Sequence, residues 1–600
     1  MTILRFLAPG LMLVAAGPLV AAPAGKDAAT PHDESLALIP PKAIAVVQVN
    51  GIERVQERLN KLLQAAVPDK AEQASKAIRD GLADALEGRD LKSIRPDGRV
   101  LVAIADVERL PDDATLTFLF PVKDADEFKK GFLTDDERKS LKKDGDLETV
   151  KWEERDEPFY LVPIKGYVAI SSDKDTAQKY AKGEIGGVAK QLTAETAKAF
   201  LDSDVSLFIN VKEVNAKYGD QLKTFKGLAE LFLKGDTVQG VNKAQMEQIK
   251  SIIDAAFQVL EDGTAAVLAV ELRSDGLSLR GLAQFGEKTG TNEGLQKYKP
   301  TPLAQLGTLP TGQVSYSASA LNLGGSKSAA LLLGAMTADD EDAAAKKAIE
   351  GVLRDLGRLD RGVTLRAGQI MGGPGLEIIE SKDAAKIVDA RLQLLRALTK
   401  TGSFLNVPLK DKPEVKEKAE SVGGFSLNAV TVKFDFDKAV VDLPEEGREA
   451  ARSSMKRALG GDEMHLWFGS SGNQVLQVTA KDWGEAKGLV EAYLDKGRAL
   501  EKDPAYQFTR KQLPAEATML VALDAAQTVY SIFGMVKDTG GQAPGFPAQL
   551  PDLKSPDGKP AYLGIALVLK APHGSFEVFV PASAVGQVRK LLEPLLDKGQ

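Results

Sequence analysis

One pattern recurs along this chain and limits what it can fold into: an apolar strand that runs into Asp, Asn or Ser and then into a segment with helical apolar spacing. Leu116–Val122 leads to Asp124, Ala125 and Phe128, and Tyr167–Ile170 leads to Asp173, Ala177 and Tyr180. Leu376–Ile379 precedes Asp383, Ala384, Ile387 and Val388, while Val475–Val478 precedes Asp482, Ala486, Leu489 and Val490. Phe576–Val580 precedes Ser583, Val585, Val588 and Leu591. The short polar residue has a physical reason, because its oxygen serves the unpaired N–H groups at a helix start.

A longer unit opens with an apolar residue and proline, which is tolerated just ahead of a strand where its missing donor is not needed. One copy starts near residue 39: Ile39-Pro40, strand Ala43–Val49, Asn50, then Val55, Leu59, Leu62 and Leu63 on one helical face. Another starts near 309, with Leu309-Pro310, strand Gln313–Ala320 and Leu321-Asn322. A further copy starts near 513, with Leu513-Pro514, strand Thr518–Leu523, Asp524, then Val529, Ile532, Phe533 and Val536. A version lacking the proline starts near 203: strand Val205–Ile209, Asn210, Val214 and Leu222. Hairpin signals at Asp262-Gly263, Ser274-Asp275-Gly276, Gly469-Ser470-Ser471-Gly472 and Ala571-Pro572-His573-Gly574 join apolar runs. The expected fold is therefore α+β: repeated antiparallel sheets with helices packed on one face, in two related halves, 36–305 and 306–600. Asp538–Pro560, dense in Gly and Pro, is expected to be a long surface loop.

The first 24 residues read as a signal peptide, with Arg5, an apolar run from Phe6 to Ala22 broken by Pro9, Gly10, Gly17 and Pro18, and a small-residue site cleaved after Ala24 or Ala22. Gly25–Ser35 then reads as a polar tether, and no later stretch is long and apolar enough to span a bilayer. Secretion or periplasmic residence follows. A chain of 600 residues has room for roughly four packing units and needs no disulfides, which fits its complete lack of Cys. The formal charge of −7 argues against nucleic acid as a partner.

Chemistry is thinly supplied. With no Cys and 3 His, thiolate nucleophiles, Cys-based zinc sites and most imidazole chemistry are excluded. His32 falls in the tether, His465 beside Trp467 on a strand surface, and His573 in a turn, none near another His. Ser453/Lys456 and Ser140/Lys143 have Ser-x-x-Lys spacing, but the accompanying Ser-Asp-Asn and Lys-Thr-Gly are absent. Gly469–Gly472 lacks the spacing of a nucleophile elbow. A calcium loop beginning at Asp124 would put Lys129 where Gly is required, and the acidic run Asp339–Asp342 leads into alanines. Gly324–Ser328 lacks the upstream Gly of a phosphate-binding loop and reads as a turn into a helix over Ala329–Met336. Lys129–Lys143 is interleaved with Asp135, Asp136 and Glu137 and reads as a solvated helix pair. Aromatic residues make up 6%, leaving few platforms for stacking on sugars or bases, and Trp152, Trp467 and Trp483 are expected to pack. No catalytic, cofactor-binding or metal-ligating residue is nominated.

The strand ending in Asn50, the step Phe120-Pro121-Val122-Lys123-Asp124-Ala125, the strand Gly166–Ser171 with Asp173 and the restart at Val205–Val211 resemble those of uncharacterised bacterial exported proteins that carry a repeated domain of unknown function. The resemblance is best over residues 35–300 and implies export and an α+β repeat fold. It carries no functional residue. Three functions remain open: a non-enzymatic scaffold or protein-interaction protein of the cell envelope, with envelope or extracellular proteins as partners; a carrier or sensor of an apolar ligand such as lipid, held between the halves; and a carboxylate-based hydrolase.

Overall fold

A computed structural model describes residues 34–596 except 86–88, 107–114, 153–156, 235–242, 322–342, 360–361, 371, 399–401, 405–406, 442, 444 and 539–551. The segment read as a signal peptide, His32, the turn expected at Gly324–Ser328 and the helix expected over Ala329–Met336, Asp339–Asp342 and most of the loop expected over Asp538–Pro560 lie outside the described residues. The chain divides into two compact units that interleave in sequence, where one division near residue 305 was expected. Unit 1 takes Met1–Thr224, Gln258–Lys297 and Leu567–Val585, and unit 2 takes Phe225–Phe257, Tyr298–Ala566 and Gly586–Gln600.

In the first stretch of chain the elements are α1 (Glu34–Leu38), β1 (Ala45–Asn50), α2 (Ile52–Ala66), α3 (Ala71–Ala85), β2 (Arg99–Ile104), β3 (Leu116–Pro121), α4 (Ala125–Phe132) and α5 (Asp135–Ser140). There follow β4 (Lys142–Asp144), β5 (Leu147–Val150), β6 (Phe159–Ile164), β7 (Tyr167–Ser171), α6 (Lys174–Lys182), α7 (Ala194–Asp202), β8 (Val205–Ile209), α8 (Val211–Lys234), α9 (Lys243–Asp262), β9 (Gly263–Arg273), β10 (Gly276–Phe285) and α10 (Gly290–Leu295). Unit 1's strands form one antiparallel sheet in the order β4-β5-β6-β7-β3-β2-β1-β8-β9-β10. The strand His573–Pro581, from near the end of the chain, pairs with β10.

Helices cover both faces of this sheet, which corrects the one-face expectation. Val46, Leu101, Ala103 and Phe208 pack with Leu36 of α1, Tyr180 of α6 and Phe200 of α7. The alternate positions Val100, Val102, Phe118 and Phe120 pack with Phe128 and Phe132 of α4, while Val55, Leu59 and Leu62 of α2 lie against Leu207, Leu268 and Val270. The reason is in the strands themselves. Val46-Val47, Leu101–Ile104 and Phe118–Phe120 are apolar at both parities, so each face of the pleat needs a cover.

Five of the expected helix starts are made by the expected side chains, among them Asn210, which accepts Glu213 N at 3.3 Å, and Asp524, which accepts Gln527 N at 3.2 Å. Asp124 accepts from the N–H groups of Asp126 at 2.9 Å and Glu127 at 2.8 Å, Asp173 from Thr176, and Asp482 from Glu485. Asn50 departs from the pattern: it closes β1, its Nδ2 donates to Leu201 O at 3.1 Å, and Gly51 with φ 74° takes the cap position instead. Ser583 lies inside the last helix, and Asp262-Gly263 is the passage from α9 into β9, with no hairpin there. Glu34 and Ser35, expected in the polar tether, belong to α1.

Unit 2 contributes β11 (Ser315–Ser319), α11 (Ala343–Arg358), β12 (Thr364–Gly368), β13 (Gly375–Glu380), α12 (Ala384–Leu398), the small pair β14 (Ser403–Phe404) and β15 (Val407–Pro408), β16 (Glu414–Val422) and β17 (Phe425–Lys433). Next come α13 (Phe436–Ala439), α14 (Glu445–Leu459), β18 (Glu463–Ser471), β19 (Gln474–Ala480), α15 (Trp483–Leu494), α16 (Pro504–Gln512), β20 (Met519–Asp524) and α17 (Ala525–Asp538). The strand order is β16-β17-β18-β19-β13-β12-β11-β20, again antiparallel throughout. Ile379, Val430, Val432, Phe434 and Phe468 of the strands and loops bury against Ile349 and Leu353 of α11 and Ile387, Leu395 and Leu398 of α12. Among the described residues no helix is long and apolar enough to cross a membrane.

One carboxylate in this unit makes the fold sensitive to acid. Glu377 on β13 receives Arg391 Nη2 at 2.6 Å and Arg366 Nε at 2.7 Å. Burial by itself raises its pKa, but the two guanidinium charges and their hydrogen bonds outweigh burial and hold it at about 2. A folded-state value below the ordinary 4.5 means that the stabilisation is complete above that pH and is lost as pH falls towards 2. Denaturant unfolding of the Glu377→Gln variant is therefore expected to show a deficit on the order of 3 kcal/mol at neutral pH that shrinks steadily below about pH 4.5. A deficit independent of pH would show that the carboxylate's charge contributes nothing.

Candidate functional site

The histidine expected to sit idle in a turn is the first residue of a strand, and it is tightly held. His573 Nε2 lies 3.0 Å from Thr193 Oγ1, and its Nδ1 lies 3.1 Å from Glu195 Oε2. Hydroxyl, imidazole and carboxylate follow one another as in a hydrolytic triad. The hydroxyl, however, is engaged as the cap of α7, where it accepts from Thr196 N at 3.2 Å and lies 2.8 Å from Thr196 Oγ1. Gln284 Oε1 in turn receives Thr193 N at 3.2 Å and Thr196 Oγ1 at 2.8 Å. The trio fastens the strand at His573 to the start of α7. Sequence spacing had no means of showing this, because 380 residues separate the partners.

His465 fits the expected sheet surface, with Nδ1 3.1 Å from Thr431 Oγ1 on β17 and its ring stacked near Trp467. Ser140 and Lys143 part company, the serine closing α5 by donating to Glu137 O while the lysine lies in β4. The basic stretch is likewise two short helices running into a strand, and its Lys129 is mostly buried between Asp126 and Glu148. Gly469 is a strand residue whose added Cβ would meet Ser426 O at 2.0 Å, and Gly472 with φ +56° makes the hairpin turn. The carboxyl of Asp524 is raised by burial, as a general acid would require, yet it accepts Gln527 N as the cap of α17. Asp503 does the same for α16. Among the described residues no three His, Asp or Glu side chains are grouped to hold a metal ion.

Ser453 and Lys456 acquire a different setting. They line a half-open cavity of about 740 Å³ within unit 2, walled by the end of α14, the loop around Gln369–Gly373, the helix α17, and Asp552 and Leu553. Two glycine pairs build its base. Gly460 with φ +82° ends α14, its N–H returning to Arg457 O at 3.2 Å and that of Gly461 to Lys456 O at 2.8 Å. Gly372, with φ +58°, sits so close that a Cβ there would be 2.0 Å from Arg457 O, so the loop and the helix end meet backbone to backbone. The lining is mainly apolar, with Ile370, Tyr530, Ile532, Phe533 and Leu553, and it carries the cations Lys456, Arg457 and Lys537 against the single carboxylate Asp552. Lys456 pairs with Asp462 at 2.9 Å and Lys537 pairs with Asp552. Such an arrangement can bind and orient, and its size is that of ordinary small-molecule sites.

The sequence reading gave Val529, Ile532, Phe533 and Val536 as the helical apolar spacing that follows Asp524. Only Val536 is buried, and Ile532 is 39% exposed at the cavity. The available signal was the pairing of Gly372-Gly373 with Gly460-Gly461, which marks a close backbone approach once the fold brings the two turns together.

No protein-family model, no curated protein and no solved structure matches this chain.

Proposed function

We propose that the chain is an exported, non-enzymatic protein of the cell envelope, built from two related halves, that works by docking other envelope proteins. The observation that carries the reading is a stripe on α8: Phe225, Leu228 and Leu231 stand 66%, 56% and 66% exposed at successive helical positions. Singly exposed apolar residues are ordinary, but three large ones along one helical line are the anchors of a helix that lies in a partner's groove. Lys226, pairing with Asp254 of α9 at 3.0 Å and lying over the Phe257 ring, braces the helix that carries the stripe.

Recurrence of strand order supports the two related halves. The first half runs β6-β7-β3-β2-β1-β8 and the second β18-β19-β13-β12-β11-β20, so the same chain-order positions occupy the same places in each sheet. In both, the strand at the end of this series is followed by a helix whose first turn donates a backbone N–H to a side chain, Asn210 in one and Asp524 in the other. The non-enzymatic reading draws on the committed state of the polar groups around His573, Asp503 and Asp524.

The test is a native gel of envelope extract prepared without denaturant. The wild-type chain is expected in a complex well above its own mass, and the Phe225→Ser/Leu228→Ser/Leu231→Ser variant is expected at the mass of the free chain with an unchanged melting temperature. Co-migration of the two would remove the docking assignment.

A further inference from the structure

We propose that the cavity bounded by the end of α14, the Gln369–Gly373 loop and α17 is a binding site for a single-chain amphipathic anion, with an oxyanion headgroup on Lys456, Arg457 and Lys537 and an apolar tail on Tyr530, Phe533 and Leu553. This goes beyond the docking role of α8 and stands or falls separately from it. Charge is the first argument. The chain as a whole carries −7, yet Lys456, Arg457 and Lys537 face this cavity against Asp552 in its wall and Asp462 beside Lys456, an excess of one positive charge. A local reversal of sign against the net charge favours an anionic occupant.

The second argument is that the cations are accessible to exchange. Lys456 and Asp462 are 40% and 58% exposed, and Lys537 and Asp552 are 46% and 91% exposed. Ion pairs this exposed are weak, so an incoming carboxylate or phosphate competes for both ammonium groups at little cost. Arg457 reaches α17, its Nη1 lying 3.5 Å from where a Cβ on Gly534 would stand, and its planar fork suits an oxyanion. The third argument is the remainder of the wall. Ile370, Tyr530, Ile532, Phe533, Met535 and Leu553 give it apolar surface, and Ile532 is 39% exposed there. A small inorganic anion would leave that surface wet, whereas an alkyl chain removes it from water.

Calorimetric titration of the full chain with laurate, kept below its micelle concentration and at low salt, tests the site. Saturation at one laurate per chain is expected. Dodecyl phosphate in a parallel titration separates carboxylate from phosphate headgroups, and saturable binding of either one supports the site. Dodecyltrimethylammonium, with the same tail and the opposite charge, is expected to give no saturable heat, and inorganic phosphate is expected to bind at least about a hundredfold more weakly. The Lys456→Glu/Lys537→Glu variant and, independently, the Ile532→Glu variant are each expected to weaken laurate about tenfold or more while keeping the wild-type melting temperature. The proposal is overturned if neither amphiphile saturates, if the cationic amphiphile binds equally well, if inorganic phosphate matches laurate, or if folded variants bind laurate as the wild type does.

Discussion

Replacing Arg89 with methionine is expected to cost about 3–5 kcal/mol of stability, because it strands a buried carboxylate. Arg89 and Glu137 form a two-pronged pair, Nη1 to Oε2 at 2.7 Å and Nη2 to Oε1 at 2.6 Å, with side chains only 6% and 4% exposed. The guanidinium also lies over two rings, 5.3 Å from the centre of Phe132 and 5.4 Å from that of Trp152. Glu137 is at the same time part of the capping box of α5, its carboxylate accepting Thr134 N at 2.9 Å. Methionine fills much of the space but leaves the charge on Glu137 without a counter-charge in an apolar setting. Adding Glu137→Gln to the Arg89→Met variant removes that charge while keeping a capping acceptor, so the double variant is expected to recover more than half of the loss. Urea unfolding of the three proteins settles the point. A single-variant loss below about 1 kcal/mol would mean that water reaches Glu137 and the pair is ornamental.

Asp204 is the second position where one substitution is expected to be severe. Its side chain is fully buried ahead of β8, and Arg54 Nε at 3.0 Å and Arg58 Nη1 at 3.1 Å converge on it from successive turns of α2. The backbone N–H of Leu272 on β9 donates at 2.7 Å to Oδ2, the oxygen that Arg58 meets, while Arg54 meets Oδ1. The carboxylate thus ties a helix to two strands of the sheet. Asp204→Asn keeps the shape and one acceptor but loses the charge that both guanidinium groups face, a cost of about 3 kcal/mol. The two arginines are 39% and 35% exposed, so each alone can turn to solvent, and Arg54→Ala is expected to cost only about 1 kcal/mol. Hydrogen exchange in Asp204→Asn should speed up first in α2. Uniform acceleration across unit 1 would contradict the view that this residue anchors that helix in particular.

The two positions differ in how readable they were. Arg89 sits in a stretch with no regular spacing, and Asp204 differs from the capping aspartates only in lying before a strand rather than after one. Neither advertises its burial. What the sequence does disclose is local. Asp124, Asp173 and Asp482 act as caps because a cap depends on its own next three residues, and the antiparallel pairing of β9 with β10 and of β18 with β19 follows from tight turns. Asn50 looks identical to a cap in one dimension. Its amide is drawn away by Leu201 O, a partner 151 positions distant, and a glycine takes over the turn. The second layer of helices in unit 1 was legible in principle from the double apolar parity of Leu101–Ile104 and Phe118–Phe120, a pattern that a hairpin-based reading overlooks.

The cavity was less legible for the same reason. Its cations come from α14 and α17, which no periodicity links, and its base comes from glycine turns nearly 90 residues apart in sequence. The stripe on α8, by contrast, required only the recognition that Phe225, Leu228 and Leu231 share a helical line. A sequence reading takes such a line for core, and the fold leaves it open.

Whether the chain acts by docking is tested most directly by placing a photo-crosslinking amino acid at Leu228, and at the exposed Lys412 as a control, in the producing cells, then analysing the crosslinked adducts by mass spectrometry. The account predicts one predominant adduct to a different protein at Leu228, mapped to an apolar groove in that protein, and none at Lys412. No adduct, an adduct only to another copy of this chain, or equal labelling from both positions would contradict it.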